Sequence, residues 1–272
     1  MHVLNPHRAW RWVKRRMNEH ALSRSIRSDD VFVVGYPKSG TNFVCLFMAC
    51  CLAETRYGES HTKLHLGNHR KYCPNLNHQR DLGPLPHAEL PSPRIMSLHT
   101  TGYDSRLSRV VYVVRHPGDV LVSYYHYHCR QDPALKNRLT IDQFIEQNDF
   151  WPGDWGHHVG SWLSHKSPNH LWVFYEKMRT EPEKVFPEVV KFCGLDVSDD
   201  LFGDVVEYTR FENATKLEDA HGDHRGERHE GDQKFVRSGK VGGYRSELLP
   251  ATVELVHDRY RPLLDRLGYP EA

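Results

Sequence analysis

Residues 31–53 read VFVVGYPKSGTNFVCLFMACCLA. Val31 to Val34 form a β-branched and aromatic run that stops at Gly35, and from about Thr41 to Ala53 the pattern is apolar and helical. The stretch predicts a strand, a tight loop and a helix. The loop, Tyr36-Pro37-Lys38-Ser39-Gly40-Thr41, has the parts of an anion site. Gly40 lets the backbone approach closely, and the helix start offers unpaired N–H groups at the positive end of the dipole. Lys38 adds a cation, and Ser39 and Thr41 add hydroxyl donors. The loop is not G-x-x-x-x-G-K-[ST]. Taken alone, it is equally readable as a surface turn.

The same unit recurs outward from this stretch. Residues 110–114 (VVYVV) break at His116-Pro117-Gly118, with a helix expected from Asp119. Residues 171–175 (LWVFY) read as a further strand, followed by a helix from about Glu181 to Cys193 that Gly194 closes. Alternating strands and helices predict a single α/β domain with a central parallel sheet flanked by helices, binding its ligands at the carboxyl ends of the strands. We place this domain at residues 31–272, after a basic segment at residues 1–30. Within that segment HRAWRWVKRR (7–16) could lie on an anionic membrane surface, but a short helix packing its tryptophans on the domain is preferred. The polar stretches 54–93 and 212–236 are expected to be long loops that cover a substrate.

With 36 Lys+Arg against 35 Asp+Glu there is no global basic field, so a nucleic-acid partner is not expected and any anion site has to be built locally. Six irregularly spaced cysteines do not make a disulfide scaffold and suggest a reducing, cytoplasmic setting. The longest apolar stretches, such as Phe43 to Ala53, are too short to span a bilayer, so no stable membrane insertion is expected.

Two further elements fit an anion. Arg115 directly follows the 110–114 strand, and Ser123 comes eight residues later in the helix, so both can face one anion. Residues 235–245 (FVRSGKVGGYR) form a third basic, Gly-rich loop. With all three in this order, the chain from about residue 31 to 269 resembles the cytosolic-type sulfotransferase family. That family's Y-P-K-S-G-T-T-W loop binds the 5′-phosphosulfate end of 3′-phosphoadenosine 5′-phosphosulfate (PAPS). Six positions match, with Asn42 for Thr and Phe43 for Trp. The resemblance implies PAPS as co-substrate, held by Lys38, Ser39, Gly40, Thr41, Asn42 and Phe43, and a 3′-phosphate on Arg115 and Ser123. Arg237, Ser238 and Gly239 stand at the family's C-terminal R-K-G, where Ser238 departs from Lys; whether Lys240 compensates is open. Tyr175, Thr209 and Phe211 fall where the family contacts adenine.

Sulfuryl transfer requires alignment and stabilisation of the leaving oxygen, a role the resemblance assigns to Lys38. The acceptor must also lose a proton. Residues 93–99 (PRIMSLH) resemble the family's P-R-I-I-K-T-H, which makes His99 the general base, although Ser97 replaces a lysine. His61, His65, His69 and Cys73 have helical spacing for a zinc site, but Gly67 and Asn68 interrupt it, and no metal is expected. His157 and His158 are assigned to packing or the acceptor pocket. Alternative readings are a nucleotide-dependent kinase, which lacks an evident magnesium-binding acid, and a non-catalytic nucleotide-binding module, which the pairing of Lys38 with His99 opposes. The expected acceptor is a small molecule or carbohydrate, with a lean towards polyhydroxylated compounds from the polar loops. The family's dimerisation segment is matched only at Thr252-Val253, so the oligomeric state is open.

Overall fold

The computed structural model describes residues 26–78, 90–165, 167–223, 227, 231 and 234–270; the basic stretch 7–16 lies outside them. Four strands, β1 (Val31–Gly35), β2 (Ile95–Leu98), β3 (Val110–Val114) and β4 (His170–Phe174), form a wholly parallel sheet in the order β2-β1-β3-β4. Every residue of β1 and β3 is buried, as expected of central strands covered on both faces. At the amino end of the sheet Arg94 Nε donates to Asp30 Oδ1 at 2.7 Å in a fully buried ion pair, and the Val31 amide bonds to the Arg94 carbonyl at 2.9 Å. These contacts help hold β2 in register with β1.

The helices are α1 (Thr41–Tyr57), α2 (Pro117–Gln131), α3 (Ile141–Gln147), α4 (Trp155–Ser164), α5 (Tyr175–Thr180), α6 (Pro182–Phe192), α7 (Asp199–Thr209), α8 (Phe211–His221) and α9 (Pro250–Leu267), with single turns at Leu135–Arg138 and Tyr244–Glu247. Successive strand side chains point to opposite faces. Val31 and Val33 therefore pack with α1, α6 and α7, while Phe32 and Val34 pack with α2, α4 and α9. On the first side Phe47 of α1 stacks on Phe186 of α6 with ring centroids 4.0 Å apart.

Four local expectations are corrected. Tyr175 opens α5 instead of ending β4. Helix α2 begins at Pro117, two residues earlier than expected, with His116 as its cap, the imidazole Nδ1 accepting the Gly118 amide at 3.2 Å; Asp119 lies in its first turn. Residues 54–57 extend α1, and the chain after it winds through short 3-10 turns at His61–Lys63, His69–Lys71 and Leu76–His78. Residues 212–221 of the expected second loop are helical, part of α8, because that polar run buries Ala214 and Glu218 on one side. Among the described residues no helix is long and apolar enough to cross a membrane.

Candidate active site

In a wholly parallel sheet the carboxyl ends of all strands share one edge. β1 leads into Tyr36–Gly40, β2 into His99, β3 into Arg115 and β4 into Tyr175. The first loop is tightly built. Lys38 takes a left-handed backbone (φ 72°), which non-glycine residues enter only at a cost. Gly40 also has positive φ (104°), and a Cβ there would lie 2.6 Å from the Tyr175 ring, so both conformation and space require glycine. No side chain caps the start of α1, and the buried Ser39 hydroxyl has no hydrogen-bond partner among the described residues. A group with acceptor oxygens matches these donors. Thr41 is buried in the first turn of α1, and Asn42 beside it is half-buried.

Lys38 is half-buried, with its ammonium 3.9 Å from the Phe235 ring centre and 5.2 Å from that of Tyr127. Burial, then repulsion from Arg130 and Arg115, push its pKa down to about 7, against the opposing pull of Glu218 and Asp223. Lys38 shares a cavity with Ser123, His126, Tyr127, Arg130, Lys234, Phe235 and Arg237. Arg237 is forked onto Glu247 at 2.7 and 3.0 Å, and His126 reaches the same carboxylate at 3.0 Å. Although burial opposes it, these bonds hold the Glu247 pKa down at about 2.

Arg115 is placed differently from Ser123. Its guanidinium lies 4.1 Å from the Tyr175 ring centre, while Nη1 and Nη2 donate to the carbonyls of Lys38 (3.4 Å) and Lys240 (3.3 Å). It thus ties the first loop to the C-terminal one. Gly239 (φ 57°) packs directly on Phe211, whose ring also carries the Arg179 guanidinium at 4.3 Å, and Ser238 beside it is half-buried. Lys240 is exposed and meets Arg115 through its backbone carbonyl. Phe43 is half-buried and edge-on to Phe186 at 5.4 Å, so part of its ring belongs to the core. Thr209 is 1% exposed and its hydroxyl donates to the Val205 carbonyl at 2.8 Å, which uses it inside α7 and leaves no surface for a base.

His99 sits beyond β2 with Nδ1 2.8 Å from the Gly35 carbonyl oxygen. A carbonyl only accepts, so Nδ1 carries the proton and Nε2 presents a lone pair. Asn77 brackets the His99 peptide: its Nδ2 donates to the His99 carbonyl at 2.8 Å, and its Oδ1 accepts the His99 amide. Burial lowers the imidazole pKa; the bond to Gly35 opposes this, and the Arg70 and Lys38 charges lower it further. His158 is a core residue instead: the Tyr112 hydroxyl bonds its Nδ1 at 2.8 Å, and burial drives its pKa to about 3. His61 bonds Glu54 at 2.8 Å, His65 stacks on His221, and His69 bonds the Leu66 carbonyl at 2.9 Å. Cys73 is buried, and among the described residues no cluster of three or more His, Cys, Asp or Glu is arranged to hold a metal.

Residues that the motif reading missed frame the site. Asp119 accepts the amides of Gly242 (2.7 Å) and Tyr244 (3.0 Å), and Glu218 accepts those of Phe235 and Val236 (both 2.7 Å). Arg130 lines the cavity two turns beyond Ser123. The four-residue step from Asp119 to Ser123 and the seven-residue step to Arg130 place them along one helix face, the one signal of their roles that spacing holds.

Human sulfotransferase 2B1 (Homo sapiens) is 27% identical over 259 residues, which cover 88% of this chain and 67% of that protein. Rabbit amine sulfotransferase (Oryctolagus cuniculus) is 27% identical over 241 residues, 82% of this chain and 76% of its own length. The crystal structure of mouse sulfotransferase SULT7A1 complexed with PAP (adenosine 3′,5′-bisphosphate) shares the fold. Its TM-score is 0.62 at 23% identity, covering 94% of this chain and 96% of that one. The sulfotransferase domain profile matches residues 28–268, nearly the whole chain and all four strand ends described above, and the chain belongs to that family.

Proposed function

We propose that this chain moves the sulfuryl group of PAPS onto a hydroxyl or amine of a small acceptor, with His99 as general base and Lys38 stabilising the leaving oxygen. The observation that carries this reading is the His99–Gly35 bond of 2.8 Å. It holds the imidazole, in its neutral tautomer, against the strand end that feeds the Lys38 loop. Nε2 is thereby available to take the acceptor proton, and the lowered pKa keeps it unprotonated at neutral pH.

The donor's phosphosulfate end belongs on the Lys38–Thr41 loop, where the Ser39 hydroxyl and the uncapped start of α1 supply donors. The 3′-phosphate is assigned to Arg115, Ser123 and Arg237: Ser123 and Arg237 line the cavity, the buried Nε of Arg115 has no hydrogen-bond partner among the described residues, and the Arg115 Nη atoms and Gly239 shape the loops around them. Phe43, Tyr175 and Phe211 supply aromatic surface for the base, and Thr209 is left out because it is consumed within α7. A kinase would need carboxylates for magnesium. Asp119 and Glu218 each hold two backbone amides and are committed to the C-terminal loop. The name of the rabbit relative supports amines beside hydroxyls as acceptors; polyhydroxylated compounds remain our lean for the carbon skeleton.

Calorimetry of adenosine 3′,5′-bisphosphate (PAP) against 5′-AMP tests the reading. Each charge-assisted bond to phosphate contributes about 1.5–3 kcal/mol, so PAP should bind at least about tenfold tighter. Ser123→Ala should narrow the difference. Equal affinity for the two nucleotides in the unmutated protein overturns the proposal.

A further inference from the structure

Arg130 is a buried cation on the cavity wall to which the proposed reaction assigns no task. It lies on α2 seven residues after Ser123, and Ser123, Tyr127 and Arg130 line the cavity from one helix face. Seven helical residues rise about 10 Å. Abreast of the middle of this face is Lys38, its ammonium 5.2 Å from the Tyr127 ring centre. The order along α2 is a hydroxyl for the nucleotide, then the lysine of the transferring group, then the guanidinium. In an in-line displacement, leaving and attacking oxygens lie on opposite sides of the transferred group. Along α2, Arg130 lies on the far side of Lys38 from Ser123, the side left for the acceptor once Ser123 is given to the nucleotide.

The Arg130 side chain is 2% exposed, and Nη1 lies 2.8 Å from Oδ2 of Asp223, which is fully buried. The rings of Tyr127 and Phe235 flank it, each 5.5 Å away. A guanidinium carries five N–H donors. Among the described residues Nε and Nη2 have no hydrogen-bond partner. Asp223 fixes the direction of the side chain and compensates its charge, but it does not fill the planar fork, which matches a carboxylate or sulfate. Lys234, paired with Asp219 at 2.6 Å, adds a second cation to the same wall. The Arg70 charge lies close enough to His99 to bias its protonation.

We infer that Arg130 binds an anionic group of the acceptor, so that the substrate class is a hydroxyl or amine compound bearing a carboxylate or sulfate. The inference rests on the transferase reading above. Its test titrates the PAP-saturated protein with matched pairs: glucuronate against glucose, and 4-hydroxyphenylacetate against 4-methylphenol. The carboxylated member should bind at least tenfold tighter in one pair or more. Arg130→Met alone strands a buried carboxylate and can unfold the chain, so the variant is Arg130→Met with Asp223→Asn, compared with Asp223→Asn alone. The preference should vanish in the double variant and persist in the single one. PAP binding with no carboxylate preference in any pair overturns this inference and leaves the transferase reading standing. A preference that survives in the double variant, or PAP affinity lost together with the preference, also overturns it, the latter by assigning Arg130 to the nucleotide end. Failure of the unmutated protein to bind PAP overturns both.

Discussion

His99 and Lys38 carry the proposed chemistry through opposite protonation states, and each state has a local cause. Replacing His99 with Ala should lower kcat by about 10²–10⁴-fold, the usual contribution of a general base, while PAP affinity by calorimetry stays near wild type. Wild-type turnover in that variant would place the base elsewhere. Because burial holds the His99 pKa below 6.5, the acid limb of the kcat/KM profile should fall below that value. Lys38 works the other way. Its pKa of about 7 leaves it partly neutral in the free protein, and an anion beside it favours the charged form. PAP binding should therefore take up a fraction of a proton near pH 7, and affinity should weaken as pH rises above 7. Calorimetry in buffers of different ionisation enthalpy measures this; zero uptake between pH 7 and 8 would show that the lysine is already fully charged.

At the scale of elements, α2 sets the site by presenting one face to two partners. Its first turn fixes the C-terminal loop through Asp119, and the next turns supply Ser123 and Arg130 to the cavity. Helix α8 holds the other end of that loop through Glu218. Two buried carboxylates on two helices thus bracket residues 235–244, which include Arg237 and Gly239. An Asn at position 119 keeps one acceptor oxygen but turns the other into a donor facing an amide. Asp119→Asn should raise the donor KM and the PAP Kd about tenfold or more, since hydrogen bonds to a charged group contribute roughly 1.5–3 kcal/mol. With saturating donor, kcat should change little. A lowered Tm with unchanged donor KM would reduce Asp119 to a stabilising residue.

For the whole molecule, the buried histidines set the response to acid. Burial, the largest cause in each, lowers the pKa of His69 to about 4 and of His116 and His158 to about 3. The unfolded chain protonates these groups near 6.5, so it binds more protons than the folded one, and stability falls as pH drops below 6.5. Each group contributes up to about 1.4 kcal/mol per pH unit until its folded pKa is reached. Calorimetric scans should show Tm falling steadily from pH 6.5 to 4.5, with up to about three protons taken up on unfolding. A flat Tm over that range would show these imidazoles are protonated in the fold. Much of the architecture was legible in the chain itself. A strand buried on both faces has to be apolar throughout, so β1 and β3 show as unbroken runs, and positive φ against the Tyr175 ring leaves little besides glycine at position 40. His99 stood out among 20 histidines only by resemblance, because a base is defined by what holds its other nitrogen. Helix α8 was hidden inside a polar run, since Glu218 is buried there for its bonds to amides and not for hydrophobicity. The sequence by itself determined which strand ends carry cations, hydroxyls and an imidazole. Only the tertiary structure decided which of those groups already have buried partners: Asp119 meets amides more than 120 residues away, and one Arg130 nitrogen meets a carboxylate beyond β4. Burial gives such pairings their strength, and burial is a property of the assembled layers that no local stretch contains.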